Sequence, residues 1–247
     1  MSLESKKVII EKYNPPANGG FFITGNILYM KIVISLAAFL IFTNFVCGQN
    51  DNKPGNDNKP GKESTITVGD GCEGCEAIYE SPVPFEELSH IDTLPDFNES
   101  GPKLEISGVI YQPDGTTPAP GIVMYVYHTD QNGYYSKKGS DNGRHGYIRG
   151  WLKTNDKGEY KFYTLRPAPY PNATFAAHIH PTIKEPGKTE YWIDDYVFDD
   201  DKYVNESYKK NAQNRCGDGI LTLTKNESGI YTARRDLILG KNIPNYK

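Results

Sequence analysis

GWLKTNDKGEYKFYTLRP, residues 150–167, decides the fold. Apolar and polar residues alternate on both sides of a turn at Asp156–Gly158, so Tyr160 and Phe162 share one face, the period-two pattern of strands half buried in a sheet. Upstream, LEISGVIYQPDG (104–115) alternates into an Asp-Gly turn, and GIVMYVYHTDQNG (121–133) does the same into Asn-Gly. Further strands are expected at EYWIDDYVF (190–198), GILTLTK (219–225) and GIYTARRDLIL (229–239), with helix confined to PFEEL (84–88) and DDKYVNESYKKNA (200–212). Many short strands, 18 Tyr, 24 Gly and 17 Pro, and no long stretch of helical period predict an all-β domain. The expected architecture is a β-sandwich of mainly antiparallel strands with few short helices, spanning residues 72–247.

The first quarter of the chain reads differently. MKIVISLAAFLIFTNFVCGQ (30–49) joins Met30 and Lys31 to an apolar run ending in small or weakly polar residues, the form of an export signal over 30–48. The run is broken by Thr43 and Asn44, short of the roughly 20 apolar residues that cross a bilayer. NDNKPGNDNKPGKE (50–63), a six-residue unit stated twice with no apolar residue able to join a core, then gives a flexible tether expected over 49–71. Cys47 stands where a bacterial lipoprotein carries its lipidated cysteine, so membrane tethering through it and simple cleavage near Gly48 are both open. Residues 1–29 read as a leader or misassigned start. The expected location is the cell envelope or the exterior.

A formal net charge of -4 and the lack of any Lys/Arg cluster give no footprint for nucleic acid, so small-molecule partners are expected. The chemistry-bearing motif is AHIH (177–180). On a strand, side chains two apart share a face, so His178 and His180 project together and can bind one metal, while Ile179 points into the opposite layer. The candidates for further ligands are Tyr170, in RPAPYPN, and Tyr135, in NGYYSKKG, with Tyr134 as its close neighbour. A buried phenol normally keeps its proton, whereas a hard trivalent cation stabilises the phenolate. Two phenolates with two neutral imidazoles suit Fe(III).

The phrases SGVIYQPDGTTPAPGIVMYVYHTDQNGYYS (107–136), IRGWLKTNDKGEYKFYTLRPAPYP (148–171) and AHIH, in that order, resemble the intradiol ring-cleavage dioxygenases, the catechol and protocatechuate dioxygenase family. The resemblance covers roughly residues 104–201. It implies a metal site made of Tyr135, Tyr170, His178 and His180 on Fe(III), with Tyr170 and His178 axial and Tyr135 and His180 equatorial. It also implies that Tyr170 is catalytic, leaving the metal when substrate binds and taking a substrate proton. The implied partners are a catecholic substrate and O2, and the implied product is a muconate-type dicarboxylic acid formed without an external reductant.

The chain departs from the family pattern at two places. Phe175 stands where the family usually has an arginine, three residues before the first ligand histidine, and Asp194 or Asp195 is the best match to a usual glutamine. Oriented donors of that kind contribute roughly 2.7–4 kcal/mol each to transition-state stabilisation. Arg149 and Arg166 are the candidate substitutes. The alternative function is a non-catalytic exported sandwich module with a vestigial or different metal site, copper or zinc included. Cys72 either pairs with Cys75, or one of the two reaches Cys216. Asp199–Asp201 read as a solvated acidic loop, with calcium as the alternative, and His90, His128 and His145 as structural or exposed. Oligomeric state is not readable from these features.

Overall fold

The computed structural model describes residues 67–139 and 143–247. The expected leader (1–29), the expected export signal (30–48) with Cys47, and the expected tether before Thr67 lie outside the described residues. Val68 already packs against the core, and the Gly69 amide donates to the Pro244 carbonyl at 2.8 Å.

Two mixed sheets face each other. The first runs in the order β1 (Ile91–Thr93), β5 (Glu159–Leu165), β2 (Lys103–Tyr111), β11 (Tyr231–Arg234), β10 (Thr224–Lys225), with β12 (Leu237–Ile238) also on β2. The second runs β4 (Arg149–Lys153), β3 (Val123–His128), β6 (His178–Lys184), β8 (Tyr196–Phe198), β9 (Ile220–Leu221), with β7 (Tyr191–Trp192) also on β6. The long pairs β2–β5, β3–β4 and β3–β6 are antiparallel, while short edge strands such as β1 and β9 join in parallel.

Strand parity builds the core. β2 alternates half-buried and buried residues along its whole length, so Leu104, Ile106 and Ile110 face inward. Tyr160 and Phe162 of β5, Met124 and Val126 of β3, Ile179 and Ile183 of β6, and Tyr196 and Phe198 of β8 meet them between the sheets. Truncating a fully buried ring such as Phe162 to alanine is expected to cost about 3–5 kcal/mol. The outer face of the second sheet is covered as well. A 3-10 helix at Cys75–Glu80 lays Ala77 and Ile78 over Val123 and Tyr125, which is why β3 shows almost no exposed face.

The expected strands β4 and β5 flank the turn at Asn155–Gly158 and lie in different sheets, so this turn connects the layers. The connecting residues 154–158 can reach roughly 16 Å when extended, which exceeds the roughly 10 Å between packed sheets. EYWIDDYVF is not one strand: β7 ends at Trp192 and β8 starts at Tyr196, leaving Ile193–Asp195 as a corner. The expected helices appear as a 3-10 turn at Phe85–Glu87 and as α1 (Glu206–Asn211), whose N-cap Asn205 accepts from the amides of Ser207 and Tyr208.

Candidate metal centre

The site sits on the outer face of the second sheet. Ile179 and Ile183 point into the core, so parity sends His178, His180 and Thr182 outward. Tyr127 of β3 lies directly opposite His180 in the antiparallel register. Two loops bring the tyrosines over this face. The loop after β3 is organised by Asp130, whose carboxylate accepts from the amides of Asn132 (2.8 Å) and Tyr134 (3.1 Å) and from Ser136 Oγ (2.5 Å). The loop before β6 is tied to it where Thr129 Oγ1 donates to the Ala168 carbonyl at 2.6 Å.

Four side chains converge there. The hydroxyls of Tyr135 and Tyr170 are 2.5 Å apart, His180 Nε2 is 3.0 Å from Tyr135 Oη and 3.4 Å from Tyr170 Oη, and His178 Nε2 is 3.3 Å from Tyr170 Oη. Donors held at roughly 2 Å from one ion lie about 3 Å from each other, so these spacings fit a shared centre. Each imidazole presents Nε2 to the tyrosines because its other nitrogen is engaged. His178 Nδ1–H donates to the Ala176 carbonyl at 2.6 Å, and His180 Nδ1–H donates to the Asp195 carboxylate at 2.9 Å. His178, His180 and Asp195 form a compact group of possible ligands, with atoms within 4.8 Å of one another. Asp195 nevertheless takes the side of the His180 ring facing away from the tyrosines, which places it behind the ligand and outside the four-donor set.

Burial sets the protonation of these donors. Burial and the neighbouring Tyr170 hold the Tyr135 hydroxyl well above the usual phenol range, and burial also raises that of Tyr170. Both phenols therefore keep their protons at neutral pH unless a positive charge sits among them. Burial, then His180, lowers the basicity of His178, which favours the neutral, ligating imidazole. Hard oxygen donors beside neutral nitrogens fit a ferric ion.

An aromatic stack braces the site, and His145, expected to be structural or exposed, is its buried outer member. Tyr127 lies on His180 with ring centroids 4.7 Å apart, and His145 lies on Tyr127 at 3.7 Å with planes 7° apart. His145 Nδ1 meets Tyr125 Oη at 2.9 Å. The signal was present in strand parity: Tyr125 and Tyr127 alternate with the core residues Met124 and Val126, so they belong to the face that carries the histidines. Beside His180, Tyr127 and Asp195 opens a cavity of about 710 Å³, bordered also by Trp192, Tyr203 and the Cys72–Cys75 segment.

Other expected residues fall elsewhere. Tyr134 is 57 % exposed, and Phe175 is 62 % exposed. Arg149 is held by Glu80 and lies over Trp151, and Arg166 makes a two-pronged bond to Asp200 at 2.8 and 2.5 Å, so neither reaches the four donors. The acidic run is a solvated turn, as expected, with Asp199 and Asp200 exposed, and its carboxylates also bind neighbours. Asp199 accepts from Thr222, Asp200 holds Arg166, and Asp201 accepts from the Ala177 amide just before His178. His128 is buried, with Nε2 2.6 Å from Thr164 Oγ1. Cys72 pairs with Cys75, leaving Cys216 buried and unpaired.

A dioxygenase family model matches residues 83–232, which include all four converging side chains. Among curated proteins, a catechol 1,2-dioxygenase of Acinetobacter lwoffii is 37% identical over 84 residues, covering 34% of this chain and 26% of the relative. An intradiol ring-cleavage dioxygenase of Aspergillus niger is 29% identical over 87 residues, covering 35% of this chain and 27% of the relative. The chain thus spans about a quarter of the length of these curated relatives. Among solved structures, the wild-type catechol 1,2-dioxygenase of Acinetobacter radioresistens superposes with a TM-score of 0.50 at 18% identity, over 64% of this chain and 60% of that one, a likeness of fold. From the extent of the family match and the named relatives, the chain belongs to the intradiol ring-cleavage dioxygenase family.

Proposed function

We propose that the protein is a non-haem Fe(III) dioxygenase that opens a catecholic ring between its two hydroxyl-bearing carbons with O2, giving a muconate-type dicarboxylic acid. The observation that carries this reading is the convergence of Tyr135, Tyr170, His178 and His180 through their oxygen and Nε2 atoms. A ferric ion bound there would supply Lewis acidity toward the catechol oxygens and an electron-accepting centre that makes the ring reactive toward O2.

The residues supply the rest. Tyr170 is carried between Pro169 and Pro171 on a loop at the half-exposed rim, and its hydroxyl touches all three of the other donors. That oxygen is the group placed to accept a catechol proton, and burial makes its phenolate a strong base. His178 and His180 keep their Nδ1 protons on Ala176 and Asp195, so their Nε2 lone pairs stay aimed inward throughout. Tyr127 covers one face of His180 and keeps water from it. Catechol plus O2 contains every atom of the dicarboxylic acid, so no reductant is needed.

A second reading has one observation in its favour. No arginine reaches the centre among the described residues, because Phe175 is exposed and both Arg149 and Arg166 are engaged elsewhere. That favours a metal-holding module with little turnover. Oxygen uptake by the iron-loaded chain separates the two: the enzyme consumes one O2 per catechol and yields the ring-opened diacid. If the loaded protein leaves catechol, hydroxyquinol and protocatechuate untouched, the dioxygenase reading fails.

Export belongs to the same proposal, with anchoring through a lipidated Cys47 as its membrane form. The Cys72–Cys75 disulfide supports an oxidising compartment. Cell fractionation of the full chain and of Cys47→Ala tests it: envelope association that depends on Cys47 supports anchoring, and cytoplasmic retention contradicts export.

A further inference from the structure

The corner that interrupts EYWIDDYVF has a purpose visible in its contacts. Asp194 is pinned from behind: its carboxylate accepts from the amides of Asn214 (2.8 Å) and Arg215 (3.1 Å), and its carbonyl accepts from the buried Arg235 guanidinium at 2.7 Å. The next peptide is pinned as well. A Cβ on Gly219 would come within 2.2 Å of the Asp195 carbonyl oxygen, so that backbone lies flush against residue 219. With the main chain fixed on both sides, only the Asp195 side chain reaches forward, and it ends 2.9 Å from His180 Nδ1.

We propose that Asp195 is a positioning residue for the metal centre, a carboxylate that fixes the His180 tautomer and adds negative charge behind that one ligand. The inference rests on the proposed metal site. The carboxylate can only accept, so Nδ1 of His180 carries the proton and Nε2 is left bare toward Tyr135 and Tyr170. His178 is oriented the same way, but by the neutral Ala176 carbonyl. The two imidazoles therefore differ: His180, backed by a charge, is the stronger electron donor. Two phenolates bring a ferric ion to a net charge of +1, and Asp195 brings the whole cluster to neutrality. A more electron-rich centre favours the ferric over the ferrous state and moves phenolate-to-iron charge transfer to higher energy.

Asp195→Asn keeps an acceptor oxygen of the same reach and removes the charge, whereas Asp195→Ala removes both. In metal-free protein at about pH 8, above the ordinary histidine range, ring-nitrogen NMR of His180 should show Nδ1 protonated in the wild type and in Asp195→Asn, with that preference lost in Asp195→Ala. In iron-loaded protein, the visible band should move to lower energy in both variants, and the iron potential should rise. Iron affinity should fall by roughly 10–100-fold in Asp195→Ala. An unchanged His180 tautomer in Asp195→Ala, or one band position shared by all three proteins, would overturn the proposal. If the wild type takes up no iron, the metal-site reading fails, while the tautomer measurement on metal-free protein still decides what Asp195 does.

Discussion

A Cβ on Gly133 would lie 2.2 Å from the carbonyl oxygen of Pro169, so the loop carrying Tyr135 and the loop carrying Tyr170 close on each other through a bare backbone. Residue 133 also has φ +82, in the left-handed region that glycine enters without cost. The 2.5 Å approach of the two hydroxyls, 35 residues apart in sequence, depends on this contact. Gly133→Ala is expected to part the loops, lower stability by about 1–3 kcal/mol and reduce bound iron per chain. Urea unfolding and metal analysis check it. A variant with wild-type stability and iron content would show that the loops are held by other means.

The cavity beside His180 carries Glu73, Asp194 and Asp195 on its lining, with no lysine or arginine among the described lining residues. Glu73 is bonded to Arg144, but Asp195, whose only side-chain bond among the described residues is to the rear nitrogen of His180, leaves its charge on the cavity wall. A substrate with its own carboxylate meets like charge there, so catechol is expected to exceed protocatechuate by about tenfold or more in kcat/KM, roughly 1.4 kcal/mol in the barrier. Comparative oxygen uptake measures this. Equal or better use of the carboxylated ring would show that the acidic lining does not select.

Asp96 is 1% exposed, and burial pushes its carboxyl up to about 6. The folded protein thus holds that proton more tightly than the unfolded chain, so the contribution to stability is full below about pH 4 and is lost as pH rises through about 6. Asp96→Asn removes this dependence. The stability of the variant relative to wild type should rise by up to about 3 kcal/mol between about pH 4 and about pH 7. Buried His128, held down to about 4 by desolvation, shares the Thr164 hydroxyl with Asp96, so the rise is read from about pH 5 upward, where that imidazole is neutral. Parallel stability curves across that range would contradict the assignment.

The Cys72–Cys75 bridge closes a loop with a sequence separation of 3, so it constrains the unfolded chain little. Replacing both cysteines by serine is expected to cost no more than about 2 kcal/mol and to leave iron content unchanged. Thermal unfolding with metal analysis tests it. Loss of iron would mean that this segment holds the site through the sheet, where Cys75 Sγ lies 3.6 Å from Thr182 Oγ1.

Period-two patterning made the long strands and their inward faces readable, and it put His178 and His180 on one side of β6 before any geometry was known. Tyr135 and Tyr170 were reachable through family resemblance and phenolate chemistry, because they sit on loops where no periodicity applies. Sheet membership was not legible. TNDKGE reads equally well as a hairpin turn and as a bridge between layers, and only long-range packing separates the two. The corner at Ile193–Asp195 was hidden for a similar reason: its apolar pattern continues through the break, and the contacts that bend it come from Asn214, Arg215, Gly219 and Arg235. The acidic run was legible as a solvated loop but its partners were not, because a carboxylate in a loop says nothing about which amide or guanidinium will reach it.

The most direct test of the four-donor centre is the visible absorption spectrum of purified protein loaded with ferric ion, read together with its iron content. One iron per chain is expected, with a broad red-brown phenolate-to-iron band that weakens or shifts in Tyr135→Phe and in Tyr170→Phe. Stoichiometric iron in a colourless protein, or a band that survives unchanged when both tyrosines are replaced, would contradict the account.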